Sequence, residues 1–393
     1  MEPDEFVREY LLLGLRFDRV EPGYVDAFTG DPALRRIVDN EPAPDPSALA
    51  RRAEQLMTEA PSGLDRDRAD FVTAHLRALA CAGRKFAGEP VGFVDEVRAY
   101  FDVTISKGSE DEYRQAHARL DEALGGSGSL ADRMQAHRHH DEIPPERLAE
   151  CIDAFSSALR DRVRATWPLP DGEVVDYEVV TDKPWSGFNY YLGDYRSRVA
   201  VNADLKQQMS NLPRLVAHES YPGHHTEHCR KEAGLVSRRG QAEQKIFLVN
   251  TPQCLMAEGL ADLALHAAVG RGWGAWAAEI YADLGLRFDG PRAEALAEAS
   301  AGLLSVRQDA ALMLHDEHRS ADDVAAFLKR WLLVDDERAR QMLRFLSSPL
   351  WRAYISTYVE GYRLLRGWLD AGSLVERFTR LLDEPLIPSA LRG

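Results

Sequence analysis

The densest group of chemically active side chains in this sequence lies between His218 and His228. These eleven residues include four histidines and two glutamates around the pair Pro222-Gly223. A helix that only fills a core does not need four imidazoles, because a buried imidazole requires a polar partner and an exposed one gains nothing from clustering. In zinc hydrolases a His-Glu pair on one helix supplies a metal ligand and a general base. The stretch therefore predicts a hydrolytic metal site rather than a solvated turn.

The spacing of these histidines differs from that of the familiar zinc helix, in which two ligands lie four positions apart. Four positions after His218 comes Pro222, which cannot bind a metal. On a straight helix a histidine seven positions on would lie about 10 Å along the axis, whereas both ligand nitrogens must lie about 2.0–2.1 Å from one zinc ion. A Pro-Gly pair lets a helix kink or bulge. We therefore predict a looped helix that returns His224 to the metal. His225 is the alternative second ligand, and otherwise a group that contacts the substrate or a ligand.

A carboxylate on a later helix is the expected third ligand. Glu258 begins the run Glu-Gly-Leu-Ala-Asp, and a downstream glutamate completes the ligand set of thermolysin-like hydrolases. Gly259 permits a close approach of that helix. Asp262 lies one turn further on the same face, where it can accept the free N–H of a ligand histidine. The sequence thus predicts His218, His224 and Glu258 as ligands and Asp262 as a supporting group. Glu227 and Glu243 are lesser candidates for the carboxylate ligand.

Glu219 follows a predicted ligand directly, so it can lie beside the open coordination position of the metal. There it would take a proton from metal-activated water and pass it to the leaving group. A donor for the developing oxyanion is also required. The candidates, each of which could instead be a packing or surface residue, are His315, Arg307, Tyr354 and Tyr358.

The composition excludes several classes of partner. The chain has 393 residues, 45% of them hydrophobic, and a formal net charge of -15, so nucleic acid and anionic membranes are poor partners. Its four separated cysteines lack a C-x-x-C pair, which fits a reduced protein. The acidic N-terminus has no signal-peptide core, and no apolar run approaches membrane-spanning length. We therefore expect a soluble cytoplasmic protein.

Helical periodicity dominates the elements that must position these residues. From Glu5 to about Trp167 the pattern predicts helices throughout, with apolar residues at three- and four-residue steps. Residues 173–202 are instead rich in β-branched and aromatic side chains with turn signals. We predict a mainly α-helical fold with a small antiparallel β-sheet beside the active-site helix, whose edge could hold an extended substrate. Residues 1–167 would form an N-terminal helical layer and residues 168–393 the metal-binding catalytic region, within one continuous compact domain.

The stretch from His218 to His225 resembles the hallmark of domain-of-unknown-function family 885, a bacterial family described as zinc metallopeptidases. It matches the pattern His-Glu-x-x-Pro-Gly-His-His. Ala311 departs from the family, which has an Asp there, so no role of that Asp transfers. The resemblance covers roughly residues 185–369 and implies a mostly helical fold akin to that of helical zinc carboxypeptidases, without implying a substrate. Further matching elements are Glu258 to Ala261, Arg307 with His315 eight residues later, Asn202, and Pro349 with Tyr358 to Gly361.

These features predict a zinc-dependent hydrolase that cleaves a peptide or another amide bond and holds one divalent ion. The substrate, the choice between endo- and exo-cleavage, the native metal and the oligomeric state stay open. Two alternatives also stay open: a metal-dependent hydrolase of a non-peptide amide, and a non-enzymatic metal-binding protein. Metal analysis of the purified protein tests all of these metal-dependent functions, because a protein that neither contains nor takes up zinc would have none of them.

Overall fold

The fold is mainly α-helical, as predicted. The computed structural model describes residues 1–61, 63–183 and 185–392. Several helices begin at an Asp or Ser side chain that accepts a backbone N–H of the first turn, as Asp31 does before the second helix. In chain order the α-helices are α1 (Pro3–Val20), α2 (Pro32–Asp39), α3 (Pro46–Thr58), α4 (Arg66–Phe86), α5 (Phe93–Phe101), α6 (Glu110–Leu124), α7 (Leu130–His140), α8 (Leu148–Thr166), α9 (Leu212–Glu219), α10 (His224–Lys231), α11 (Pro252–Asp262), α12 (Ala264–Ala268), α13 (Trp273–Asp283), α14 (Gly290–Ser300), α15 (Val306–His315), α16 (Ala321–Leu332), α17 (Asp336–Ser347), α18 (Tyr362–Asp370) and α19 (Leu374–Asp383).

Short helical turns of other kinds join these elements. Two of them are π-helical, Glu232–Arg238 after α10 and Thr357–Gly361 before α18. The 3₁₀ turns are Pro145–Arg147, Ala203–Leu205, Ala242–Lys245, Ala301–Leu303 and Pro388–Leu391.

Five strands form two small sheets within the described residues. They are β1 (Val25–Phe28), β2 (Val174–Val180), β3 (Gly187–Gly193), β4 (Arg196–Asn202) and β5 (Ile246–Leu248). β1 pairs antiparallel with β5, so the prediction of helices throughout residues 5–167 is wrong at β1. Four residues are too few to show an alternating pattern, and the partner strand lies far along the chain.

The larger sheet is mixed rather than purely antiparallel. β3 and β4 form an antiparallel hairpin, and its turn residues Asp194 and Tyr195 both have positive φ. β2 pairs with the other edge of β4 in parallel, giving the order β2-β4-β3. This order arises because the chain crosses from β2 to the far side of the hairpin before β3 begins. It leaves β3 at one edge of the sheet, next to α9 and α10.

One hydrophobic core runs through the molecule and surrounds α11. Buried residues from Phe6 in α1 to Phe378 in α19 belong to the same cluster. Every residue of α11 from Pro252 to Ala261 is buried, so the helix that carries Glu258 lies at the centre of the fold. The division near residue 167 stays a prediction.

None of the helices formed by the described residues combines the length and apolar composition needed to cross a membrane.

Candidate metal centre

The helix that carries His218 ends just after it. α9 stops at Glu219 and α10 begins at His224, and the Tyr221–Pro222 peptide bond between them is cis. The backbone N–H of Gly223 donates to the carbonyl of Ala217 at 2.9 Å. A Cβ on Gly223 would lie 1.9 Å from the carbonyl oxygen of His218, so only glycine fits. The structure thus shows a looped break between the two histidines, at the Pro-Gly pair.

The break brings His218 and His224 together beside Glu258. One ligand atom from each of the three side chains lies within 4.8 Å of the others. Nε2 of His218 is 3.3 Å from Oε2 of Glu258, and Nε2 of His224 is 3.6 Å from Oε1. Ligand atoms about 2.0–2.2 Å from one tetrahedral ion are separated by roughly 3.3–3.6 Å. The triad is therefore a candidate site for one metal ion.

Asp262 determines which nitrogen of His218 faces this site. Nδ1 of His218 lies 3.3 Å from Oδ1 of Asp262, which also accepts a hydrogen bond from Arg214 at 2.9 Å. If Nδ1 carries the proton, as this contact favours, the Nε2 lone pair points at Oε2 of Glu258. That buried oxygen has no hydrogen-bond partner within the described residues. Two facing acceptors require a positive charge between them, and a divalent ion fits this requirement.

The electrostatics of the triad also favour a positive charge. Burial lowers the pKa of His218, but the neighbouring carboxylates of Asp262 and Glu258 raise it well above the ordinary value. Burial raises the pKa of Glu258, but His218, His224 and Tyr354 lower it overall. In both cases the shift favours the cation beside the carboxylate. A metal ion would occupy the same position in place of the proton.

Glu219 is buried, with 6% of its surface exposed. Its backbone carbonyl accepts a 2.6 Å hydrogen bond from the amide of Asn189 on β3. Gly187 leaves room for the carboxylate, because a Cβ there would lie 3.0 Å from Oε1 of Glu219. Burial raises the pKa of Glu219, and Glu258 adds to this effect while His218 and His224 oppose it. A carboxylate with a raised pKa beside a metal site is suited to general-base chemistry.

Two predicted tyrosines lie at the triad. The hydroxyl of Tyr354 donates to Oε1 of Glu258 at 2.6 Å, and the ring of Tyr358 lies 5.6 Å from that of Tyr354. Tyr358 belongs to the turn Thr357–Gly361, which packs closely on α11 because Gly259 has no side chain to separate them. Burial, and next the charge of Glu258, raise the pKa of Tyr358 well above its usual value. Tyr358 therefore stays a protonated donor.

His225 points away from the triad, although it is next to His224. Its ring is fully buried, with Nε2 3.0 Å from Oε2 of Glu173 and Nδ1 2.9 Å from Oγ of Ser197. Both nitrogens are thus used by the protein. Of the two histidines considered for the second ligand position, the structure places His224 in the group.

The three remaining predicted site residues lie outside the triad. Asn202 donates to the carbonyls of Lys183 and Trp185 and so shapes the chain before β3. Nε2 of His315 donates to the carbonyl of Leu346 at 2.7 Å, which occupies its N–H within the fold. Arg307 is exposed.

The sequence reasoning missed the groups that support the break from outside. Glu173 bonds to both Tyr221 and His225, and the hydroxyl of Tyr177 lies 2.6 Å from Oγ of Ser220. These contacts join positions more than forty residues apart, so no local pattern shows them. Only the β-rich texture of residues 173–202 indicated that this region lies near the metal helix.

Asp26 was also missed. It lies at the irregular step in the β1–β5 pairing, between Val25 and Ala27. Burial raises its pKa to about 7, with further contributions from Glu258 and Glu219. Bulges next to active sites often redirect a side chain. Through Asp26 the N-terminal half of the chain contributes an acidic group whose charge interacts with Glu258 and Glu219.

Comparison with known proteins finds a similar fold among solved structures but no matching protein family. No family model matches the chain, and no curated protein does. Two chains of known structure match. One is a crystal structure described as that of a candidate lipoprotein from Colwellia psychrerythraea, which aligns with a TM-score of 0.54 and 12% identity over 92% of this chain and 68% of that chain. At this identity the match shows a shared fold alone.

Proposed function

We propose that this protein is a zinc-dependent hydrolase that cleaves a peptide or another amide bond. The observation that carries the proposal is the triad of His218, His224 and Glu258 together with the buried carboxylate of Glu219, which interacts electrostatically with all three. The resemblance of residues 218–225 to family 885 supports the same function. That resemblance depends on the motif, since the comparisons contribute the fold only.

The three ligands would hold one zinc ion, which would polarise a substrate carbonyl and acidify a water molecule. His and carboxylate ligands suit zinc, and manganese or cobalt would also bind such a set. Glu219 would accept the proton of the attacking water and then deliver it to the leaving nitrogen. Its buried position, which raises its pKa, makes the carboxylate a stronger base than an exposed glutamate.

Tyr358 is the best-placed donor for the developing oxyanion. The hydroxyl of Tyr354 is already used by Glu258, whereas Tyr358 is half-buried and next to it. A donor directed at the position where negative charge develops stabilises the transition state. Arg307 is the alternative donor, because it is exposed and electrostatically coupled to Tyr358 and Asp262.

The edge of β3 would hold the substrate. β3 is the outer strand of its sheet, and Gly187 and Asn189 at its start contact Glu219. Aromatic rings follow the same strand, with Phe188 5.6 Å from Trp185 and 4.6 Å from Tyr190 between ring centroids. An extended peptide binds such an edge through main-chain hydrogen bonds. This arrangement favours a peptide over a non-peptide amide.

The decisive experiment pairs metal analysis with a substrate panel. We expect the purified protein to take up one zinc ion and to hydrolyse members of a panel of short peptides. Glu219→Gln should keep the zinc and lose at least about a thousandfold in kcat, because the base is removed while the ligands stay. Full activity of this variant would contradict the mechanism.

The other outcomes of the panel separate the alternatives. Activity confined to N-acyl or lactam substrates would identify a non-peptide amidase. Bound zinc without turnover would leave a metal-binding protein. A protein that neither contains nor takes up zinc would exclude the proposal. The cytoplasmic location stays a prediction. The four cysteines, on which part of that prediction rests, are free and buried.

A further inference from the structure

Glu173 is an acidic residue with almost no exposed surface, 1% in all. It lies between α8 and β2, and four side chains donate to its carboxylate. Oε1 accepts from Arg160 at 2.6 Å and from Arg164 at 2.8 Å. Oε2 accepts from the hydroxyl of Tyr221 at 2.7 Å and from His225 at 3.0 Å. A buried carboxylate is tolerated only with such a complete set of partners.

Two of these donors flank the break between α9 and α10. Tyr221 directly precedes Pro222, and His225 directly follows His224. One carboxylate oxygen therefore holds both sides of the Pro-Gly pair. The ring of His225 is fixed at its second nitrogen as well, since Nδ1 accepts a hydrogen bond from Ser197 on β4 at 2.9 Å. The neutral tautomer with hydrogen on Nε2 satisfies both contacts.

Other hydrogen bonds of the break come partly from within it, since Thr226 on α10 donates to the carbonyl of Ser220 through its backbone N–H at 3.1 Å and its Oγ1 at 2.9 Å. Tyr177 reaches Ser220, and Asn189 reaches the carbonyl of Glu219. Both attach the end of α9, where His218 lies, and neither reaches the start of α10. Among the described side chains outside residues 218–228, Glu173 forms hydrogen bonds on both sides of Pro222-Gly223.

We infer that Glu173 is a positioning residue, which sets the place of the second ligand His224 through His225 and Tyr221. This inference rests on the proposed metal site and goes beyond it, because Glu173 touches neither the metal ligands nor the substrate edge. Groups that orient a ligand from outside the coordination sphere typically change metal affinity 10- to 100-fold when removed.

The test measures zinc affinity of Glu173→Gln with a competing chromophoric chelator. We expect affinity roughly 10–100-fold below that of the unchanged protein, together with an altered visible spectrum of the cobalt-substituted protein. The matched control is Glu243→Gln. Glu243 is also fully buried and bonds Arg68 through both oxygens at 2.7 and 2.8 Å, away from the break. Its zinc affinity should stay within about threefold of the unchanged protein, because it bonds no residue of the break.

Two milder variants keep the test valid if Glu173→Gln does not fold. Tyr221→Phe and Ser197→Ala each remove one hydrogen bond from this network, and each should weaken zinc binding roughly threefold to tenfold. Wild-type affinity in all the network variants, or an equal loss in Glu243→Gln, would overturn the inference while leaving the metal site intact. Failure of the unchanged protein to bind zinc would overturn the proposed function itself, and this inference with it.

Discussion

At the scale of single residues, two neighbouring tyrosines have separate tasks. Tyr354 donates to Oε1 of Glu258 at 2.6 Å and so leaves Oε2 without a partner, directed at His218. Tyr358 makes no side-chain hydrogen bond within the described residues and contacts Tyr354 through its ring. One hydroxyl therefore orients a ligand, and the other stays free to act on a substrate.

We expect Tyr354→Phe and Tyr358→Phe to differ in what they impair. Tyr354→Phe should weaken zinc binding roughly tenfold to a hundredfold, because one hydrogen bond to a charged group contributes about 1.5–3 kcal/mol. Tyr358→Phe should bind zinc normally and lose about a hundredfold in kcat, as expected for an oxyanion donor. Zinc titration and steady-state kinetics on the same preparations measure both. A normal kcat of Tyr358→Phe would indicate that Arg307, rather than Tyr358, stabilises the oxyanion.

At the scale of elements, the site depends on a helix being interrupted between Glu219 and His224. His218 and His224 are six positions apart and would point in different directions on a straight helix. The break at residues 220–223 moves His224 back over the end of α9, and the rings meet edge to face with centroids 4.8 Å apart. The close approach at Gly223 makes this path possible.

Gly223→Ala should therefore abolish zinc binding and destabilise the protein by at least about 2 kcal/mol, because its Cβ would overlap the carbonyls of His218 and Ala217. Gly367→Ala is the matched control. Gly367 lies in α18, and a Cβ added to it would meet no atom within 4 Å, so the change should be neutral or stabilise by about 0.5–1 kcal/mol. Urea unfolding and zinc titration check both. Normal zinc binding by Gly223→Ala would contradict the geometry of the break.

The long helices can be predicted from the sequence, but some of their interruptions cannot. Apolar periodicity located the long helices, such as α1 and α4, because their buried faces repeat every three to four residues. Between Pro349 and Leu369, in contrast, the structure has turns, a π-helical segment and then α18. Composition cannot show such interruptions, since the residues on either side are equally good helix formers.

The candidate triad was predictable because ligand chemistry limits the choice of residue. Only His, Cys and carboxylates bind zinc well, and the Pro-Gly pair marks where the helix must break. The sequence favoured His224 but left His225 as the alternative, because neighbouring positions face different ways and their direction depends on distant contacts. Glu173 and Ser197 occupy the ring of His225, and neither contact has a local pattern.

At the scale of the whole molecule, distant parts of the chain meet around α11. The N-terminal half contributes β1, which pairs with β5 just before that helix and places Asp26 near Glu258 and Glu219. The region between α8 and β2 contributes Glu173. Burying such acidic groups stabilises the fold only where donors surround them. Their ionisation therefore links the stability of the molecule to pH.

Glu173 gives this linkage a definite sign. Burial raises its pKa, but hydrogen bonds from His225, Tyr221 and Arg160 lower it overall, from 4.5 to about 2. A group whose pKa is depressed by folding stabilises the native state above its unfolded pKa, and this contribution is lost as the pH falls towards the folded value. The shift corresponds to about 3 kcal/mol, present in full above about pH 5 and lost between pH 4.5 and pH 2.

We therefore expect the difference in unfolding free energy between the unchanged protein and Glu173→Gln to be largest near neutral pH. It should shrink steadily below pH 4.5, because the amide of the variant has no proton to gain while the carboxylate does. Urea unfolding at a series of pH values in metal-free buffer measures the difference and keeps zinc binding out of the comparison. A difference that stays constant from about pH 7 to about pH 3 would show that the carboxylate is not held ionised by His225, Tyr221 and the two arginines.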